Sequence, residues 1–303
     1  MSAQDRWARL RTLLEQPESE AAWGDVCAFL NNWPAVEGLE DALNYAVERL
    51  GAWYRPVPWA WKRTLLTQPD PRLRLVNALT IGVMTAGSIG DQGVAMLADL
   101  PLLANVTDLD LDRNGVGAVG ARALAQSPYL TKLTILSLNG NAIGPEGIEA
   151  LARSPNVAGL RALSLVGADV GDAGATAIAQ SPYLTRLVFL DVSKNKITES
   201  GVEALADSPN LARVTELHLS DNAVGDVGAV ALGISKQTHH MRSLYLRNAG
   251  VEDSGVFVLV SQLQRLNALD LQNNRLSGVS SVTLESAGFR RDQDLWLRPQ
   301  TVE

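Results

Sequence analysis

The sequence predicts an α/β fold, a curved solenoid of right-handed strand–turn–helix units. A parallel sheet lines its concave side and an α-helical segment caps its N-terminal end. Three observations carry this reading. Gly93, Gly120, Gly147, Gly174, Gly201, Gly228 and Gly255 recur every 27 residues. Leu109, Leu136, Leu163, Leu190, Leu217 and Leu244 keep the same spacing, and Leu269 follows after 25. Ser-Pro pairs recur at Ser127-Pro128, Ser154-Pro155, Ser181-Pro182 and Ser208-Pro209. Repetition at a fixed period of this size marks a stack of equivalent units.

One unit, Leu133 to Val157, justifies each element. Leu136 and Leu138 are two apart, the side-chain period of a strand. Asn141 and Ile143 form the turn. After Gly147, Ile148, Leu151 and Ala152 have helical spacing. Ser154-Pro155 then ends the helix, because the residue before a proline is driven out of the α region. A single unit has no second layer against which to bury its leucines, whereas a stack buries them in one core. Strands stack about 4.8 Å apart and helices about 8–10 Å apart, so the helices must take the longer, outer arc. The solenoid is expected over 71–278, as about eight units. The segment VTLESAGFRRDQDLWLRPQTVE loses the repeat Gly and the Ser-Pro, so 279–303 reads as a C-terminal cap.

Residues 1–70 do not repeat and hold Trp7, Trp23, Trp33, Trp53, Trp59 and Trp61. Trp7, Leu10, Leu13 and Leu14 predict a helix that Pro17 ends. Trp23, Val26, Cys27 and Leu30 predict a second. Pro34 suits the first turn of a third, with Val36, Leu39, Leu43, Val47 and Leu50 on one face and Gly51 at its end. Arg55-Pro56-Val57-Pro58 reads as a stiff connector. These helices are expected to cover the open first unit, and a Trp-rich docking surface at Trp59 and Trp61 is the alternative.

The segments TDLDLDRNGVG, TILSLNGNAIG, RALSLVGADVG, VFLDVSKNKIT, TELHLSDNAVG, RSLYLRNAGVE and NALDLQNNRLS resemble the leucine-rich repeats, specifically the ribonuclease-inhibitor-like class with a full helix per unit. They cover about Val106 to Ser277, and a degenerate unit ending in Ile89-Gly90-Asp91 precedes them. The turn asparagine stands at Asn114, Asn141, Asn195, Asn222 and Asn274 but is replaced by Ala168 and Ala249 in two units. The resemblance implies that this amide satisfies backbone groups inside its turn, so a different partner or a different turn is expected at the two alanines.

Composition excludes several function classes. The 303 residues carry a net charge of −7, which argues against a phosphate-backbone binder and hence against a nucleic-acid partner. Cys27 is the single cysteine and the histidines number three, so no internal disulfide and no resident metal or cofactor is expected. Leu75 to Gly90 is too short to span a bilayer, and MSAQDRWARLRTLLEQ lacks a basic start followed by an apolar core. A cytoplasmic protein without a membrane partner is the expectation.

Gly115-Val116-Gly117-Ala118-Val119-Gly120 fits the dinucleotide-binding glycine pattern, but the stretch where an acidic residue should follow reads LSLNG. A repeat turn explains it better. His239-His240 is expected in an exposed loop, and Cys27 in a helical core.

The concave face is the candidate site, because residues flanking the inward leucines point away from the core. Its acids are Asp108, Asp110, Asp112, Asp191, Glu216, Asp221 and Asp270, and its bases Arg113, Lys194 and Arg247. Phe189, His218 and Tyr245 add aromatic surface. That mixture suits a protein interface, and the acids favour a partner with a basic surface. On the helical side, Val230, Ile234 and Phe257 are predicted outward and apolar, a possible second contact. Either the tail Leu295-Trp296-Leu297 covers them or they mediate homodimerisation.

The functional expectation is therefore a non-enzymatic, protein-binding adaptor or inhibitor. Two alternatives stand beside it. A GTPase-activating family of the same repeat class implies a regulator of a small GTPase, with Arg113 and Arg247 as available charges. A self-associating structural protein would use the convex patch.

Overall fold

The computed structural model describes residues 2–17, 19–34, 38–50, 77–81 and 88–298. Helix α1 (Ala3–Leu14) starts on a capping box in which Ser2 and Asp5 satisfy each other's backbone N–H groups. It packs with α2 (Glu20–Asn31) and α3 (Leu39–Leu50). Trp7 meets Trp33 and Tyr45 edge-on at ring separations of 5.5 and 5.8 Å. Trp23, Trp33 and Cys27 are buried, so these tryptophans serve as core. Helix α3 starts later than the sequence suggests. Gly38, just before its first residue Leu39, has φ +73°, a left-handed backbone that a right-handed helix does not use. Trp53, Trp59, Trp61, the Arg55–Pro58 connector, Val36 and Gly51 lie outside the described residues.

The repeats form one sheet. Eight parallel strands follow in chain order: β1 (Ala78–Thr80), β2 (Asp108–Asp110), β3 (Ile135–Ser137), β4 (Ala162–Ser164), β5 (Phe189–Asp191), β6 (Glu216–His218), β7 (Ser243–Tyr245) and β8 (Ala268–Asp270). Their register aligns Leu79, Leu109, Leu136, Leu163, Leu190, Leu217, Leu244 and Leu269 side by side, and all eight are buried. The outer layer comprises α4 (Gly90–Ala98), α5 (Ala118–Gln126), α6 (Gly144–Ala152), α7 (Gly171–Ala179), α8 (Glu199–Ala206), α9 (Gly225–Ile234), α10 (Asp253–Gln262) and α11 (Gly278–Ser286), each packed on the next.

The repeat glycine is a packing residue inside each helix. A Cβ on Gly147 would lie 2.6 Å from Ile143 and 3.0 Å from the Cα of Ala118 on α5. Neighbouring helices therefore approach as closely as the narrow sheet spacing demands. Ser280 holds the equivalent place in the last unit and is buried.

Two polar ladders run through the stack. The serine that follows each of α5 to α8 donates its hydroxyl to a carbonyl of the preceding helix: Ser127 to Ala98, Ser154 to Ala125, Ser181 to Ala152 and Ser208 to Ala179. Ser235 continues the series to Ala206, although Lys236 has replaced the proline. In the turns, Asn141 Oδ1 accepts from the N–H groups of Asn114 and Val116, one unit earlier, at 2.9 and 3.0 Å. Its Nδ2 donates to the carbonyls of Leu111 and Leu138 at 2.9 Å each. Asn195, Asn222 and Asn274 act likewise.

This relocates the effect of the two alanines. The turns of Ala168 and Ala249 are satisfied, by Asn195 and Asn274 of the following units. By the same register, Ala168 and Ala249 have no side-chain oxygen to offer the amides of Asn141 and Ile143, and of Asn222 and Val224, one unit upstream.

The tail also departs from expectation. Strands β9 (Arg290–Asp292) and β10 (Leu295–Leu297) form an antiparallel hairpin, and β10 pairs antiparallel with β8. The Leu295–Leu297 segment thus closes the free edge of the sheet and does not cover the convex patch. Ile234 and Phe257 remain 62% and 61% exposed. Val230, predicted outward with them, is only half-buried.

Candidate functional site

The sheet face opposite the helices presents the strand side chains that flank the buried leucines. Across β5 to β8 the register brings Asp191, His218, Tyr245 and Asp270 into one row, with Phe189 and Glu216 in the row beside it. His218 stacks on Tyr245 with ring centroids 4.0 Å apart and lies 5.2 Å from Phe189. His218 Nε2 is 2.8 Å from Glu216 Oε1, and Nδ1 is 3.7 Å from Asp191 Oδ2. Burial, with the charges of Glu216 and Asp270, pushes the Tyr245 phenol above its ordinary pKa. It therefore stays neutral, an apolar ring with a hydroxyl available for hydrogen bonding. Three aromatic rings ringed by three carboxylates form a surface suited to a guanidinium or ammonium group.

The other half of the face differs. Asp108, Asp110 and the 45%-exposed Ile135 line a shallow recess of about 280 Å³ with Ala78, Thr80 and Ser137. Asp108 accepts a hydrogen bond from Thr107, and Asp110 Oδ1 accepts from the N–H of Asp112. Asp112 accepts from Ser137 Oγ and from the N–H and Nδ2 groups of Asn139, at 2.6, 2.8 and 3.0 Å. This carboxylate is thereby engaged in holding two units together. Asp191 and Asp270 each tie one oxygen to the N–H two residues on, as Asp110 does.

Arg113, Lys194 and Asp221 occupy the turn position with φ of 55°, 59° and 55°. With the exposed Arg247 they line the rim at the strand ends. Asp221 accepts from Asn248 Nδ2 at 2.9 Å. The acidic group on β2 and the aromatic cluster starting at β5 are three strands, about 14 Å, apart and do not form one site.

Two other features that looked chemical are accounted for. The N–H groups of Gly117 and Gly120, where a dinucleotide phosphate would bind, are held by Asp91 Oδ1 at 2.6 and 2.8 Å. A carboxylate already fills that anion position. His240 is half-buried rather than exposed, and burial lowers its pKa. Among the described residues no group of three His, Cys, Asp or Glu side chains is placed to hold a metal ion, and no helix is long and apolar enough to cross a membrane.

Eight stacked strand–turn–helix units with aligned leucines and an asparagine ladder determine the family. The chain is a leucine-rich repeat protein. The family described as Leucine Rich repeat matches residues 103–125, 129–152, 160–179, 183–206 and 214–233, five consecutive units of the solenoid. No curated protein matches the chain.

Sequence reasoning missed two groups in this leucine-rich repeat protein. Asp172, Asp226 and Asp253 accept hydrogen bonds from N–H or hydroxyl groups at the start of the next helix. Arg186 and Arg213 stand at equivalent places before β5 and β6. Both sets repeat at 27-residue spacing, so the period that marked the leucines was also the signal for them.

Proposed function

We propose that this leucine-rich repeat protein is a non-enzymatic binding module that holds a partner protein on its concave sheet. Such repeats generally mediate protein–protein contacts. The observation that carries the reading is the cluster of Phe189, His218 and Tyr245 flanked by Asp191, Glu216 and Asp270. Aromatic rings supply contact area with little side-chain entropy to lose, and the carboxylates favour a partner that presents arginine or lysine. An adaptor or inhibitor in the cytoplasm fits this reading, and the full helix in nearly every unit supports the ribonuclease-inhibitor-like class. Asp108 and Asp110 extend the same preference for a basic partner toward the first repeats.

Affinity capture with the full chain, followed by titration of each captured protein, tests the proposal. Asp191→Lys with Tyr245→Ala is expected to weaken the partner by more than about 100-fold. Raising salt should weaken the wild-type complex strongly. Partner affinity that responds to neither the substitutions nor salt would remove the concave face from consideration.

A further inference from the structure

The loops that lead into the strands differ in charge from the rest of the molecule. Segments 99–107, 126–134, 153–161, 180–188, 207–215, 234–242 and 262–267 carry eight Lys and Arg against two Asp, in a chain of net charge −7. The turns at the opposite ends of the strands, within 88–92, 112–119, 139–146, 166–173, 193–200, 220–227, 247–254 and 272–279, carry ten acids against five bases. The solenoid therefore has a basic edge and an acidic edge on either side of its sheet.

At the middle of the basic edge lies an open recess of about 660 Å³. Arg161, Arg186 and Arg213 line it, together with Thr134, Thr185 and Val188. A gap in the basic row creates it. Lys132, Gly159, Arg186 and Arg213 occupy equivalent places, and only at Gly159 is there no side chain. A Cβ there would lie 2.6 Å from the Leu133 carbonyl oxygen, so this unit is built without one. All three arginines are exposed, and none takes part in an ion pair among the described residues. Three guanidinium groups from neighbouring units, free of internal partners, offer forked donors to carboxylates.

We infer that this recess binds an acidic segment of a protein partner, a site separate from the concave face. The volume suits a few side chains of an extended peptide. Charge complementarity selects a carboxylate-bearing chain. A nucleic acid is disfavoured, because the lining holds no aromatic ring on which a base could stack. A partner that also reached the concave face would meet a basic and an acidic zone side by side, which would fix its orientation.

Fluorescence anisotropy of a labelled octaglutamate peptide on the full-length protein tests the inference. Binding is expected at low salt, and Arg186→Glu with Arg213→Glu should weaken it by more than about tenfold while leaving the thermal melt unchanged. Arg186→Lys with Arg213→Lys keeps the charge but removes the fork, and should weaken binding only a few-fold, about threefold. The concave-face pair Asp110→Lys with Asp191→Lys should leave the peptide bound, so this site and the concave site fail independently. Three outcomes would overturn the inference: no peptide binding by the wild type, equal binding by the glutamate double variant, or tighter binding of a labelled oligothymidylate that depends on the same arginines.

Discussion

The two edges of the sheet carry net charge of opposite sign and use their charged residues differently. At the acidic edge the carboxylates hold the stack together. Asp91 binds the amides of Gly117 and Gly120, Asp112 binds Ser137 and Asn139, and Asp253 binds Ser277 and Ser280. At the basic edge Arg161, Arg186 and Arg213 face an open recess, while neutral serines and asparagines there bond one unit to the next. Charge counts taken from a sequence therefore overstate what an acidic row offers to a partner and understate what a smaller basic row offers.

The comparison breaks first at the buried asparagines that underlie the acidic edge. Asn195→Ala removes acceptors from the amides of Ala168 and Val170 and a donor from the Leu165 carbonyl. Stability is expected to fall by about 2–4 kcal/mol in urea denaturation, because buried backbone groups lose their partners. A loss below about 0.5 kcal/mol would mean that the ladder contributes little. The reciprocal change, Ala168→Asn, restores an acceptor for Asn141 and Ile143 and is expected to stabilise by up to about 1 kcal/mol. Destabilisation by that variant would show that the turn has adapted to the methyl group.

A smaller effect concerns Asp253, whose pKa is held below the ordinary carboxylate value by hydrogen bonds from Ser277 and Ser280. Its contribution is present above the unfolded-state value of about 3.9 and disappears as pH falls through the lowered folded value. Asp253→Asn should melt earlier than wild type at neutral pH and converge with it in acid. Parallel melting curves at both pH values would detach the carboxylate from the stability of α11.

The smallest shift belongs to His240, on the basic edge. Burial lowers its pKa, so the unfolded chain takes up the proton first. The stability held by the neutral ring is complete above about pH 6.5 and declines as pH falls from there toward the folded value. His240→Gln should flatten the dependence of the melting temperature on pH in that window. An unchanged slope would assign the acid sensitivity to other groups.

The sequence placed the leucines, the strand registers and the helix ends because each is a local consequence of period and of proline. It also brought Phe189, Asp191, Glu216, His218 and Tyr245 onto one face, since a solenoid converts 27-residue spacing directly into adjacency. It misjudged contacts that run between units or end the stack. The asparagine serves the unit before its own, Asp112 is engaged by Asn139, and the tail Leu295–Leu297 joins β8 instead of covering Ile234 and Phe257. Periodicity fixes which residues are equivalent, and that much was determined by the chain's own order. Which equivalent residues are free to meet a partner was decided only by the tertiary structure, because a hydrogen bond depends on the distance and direction between units.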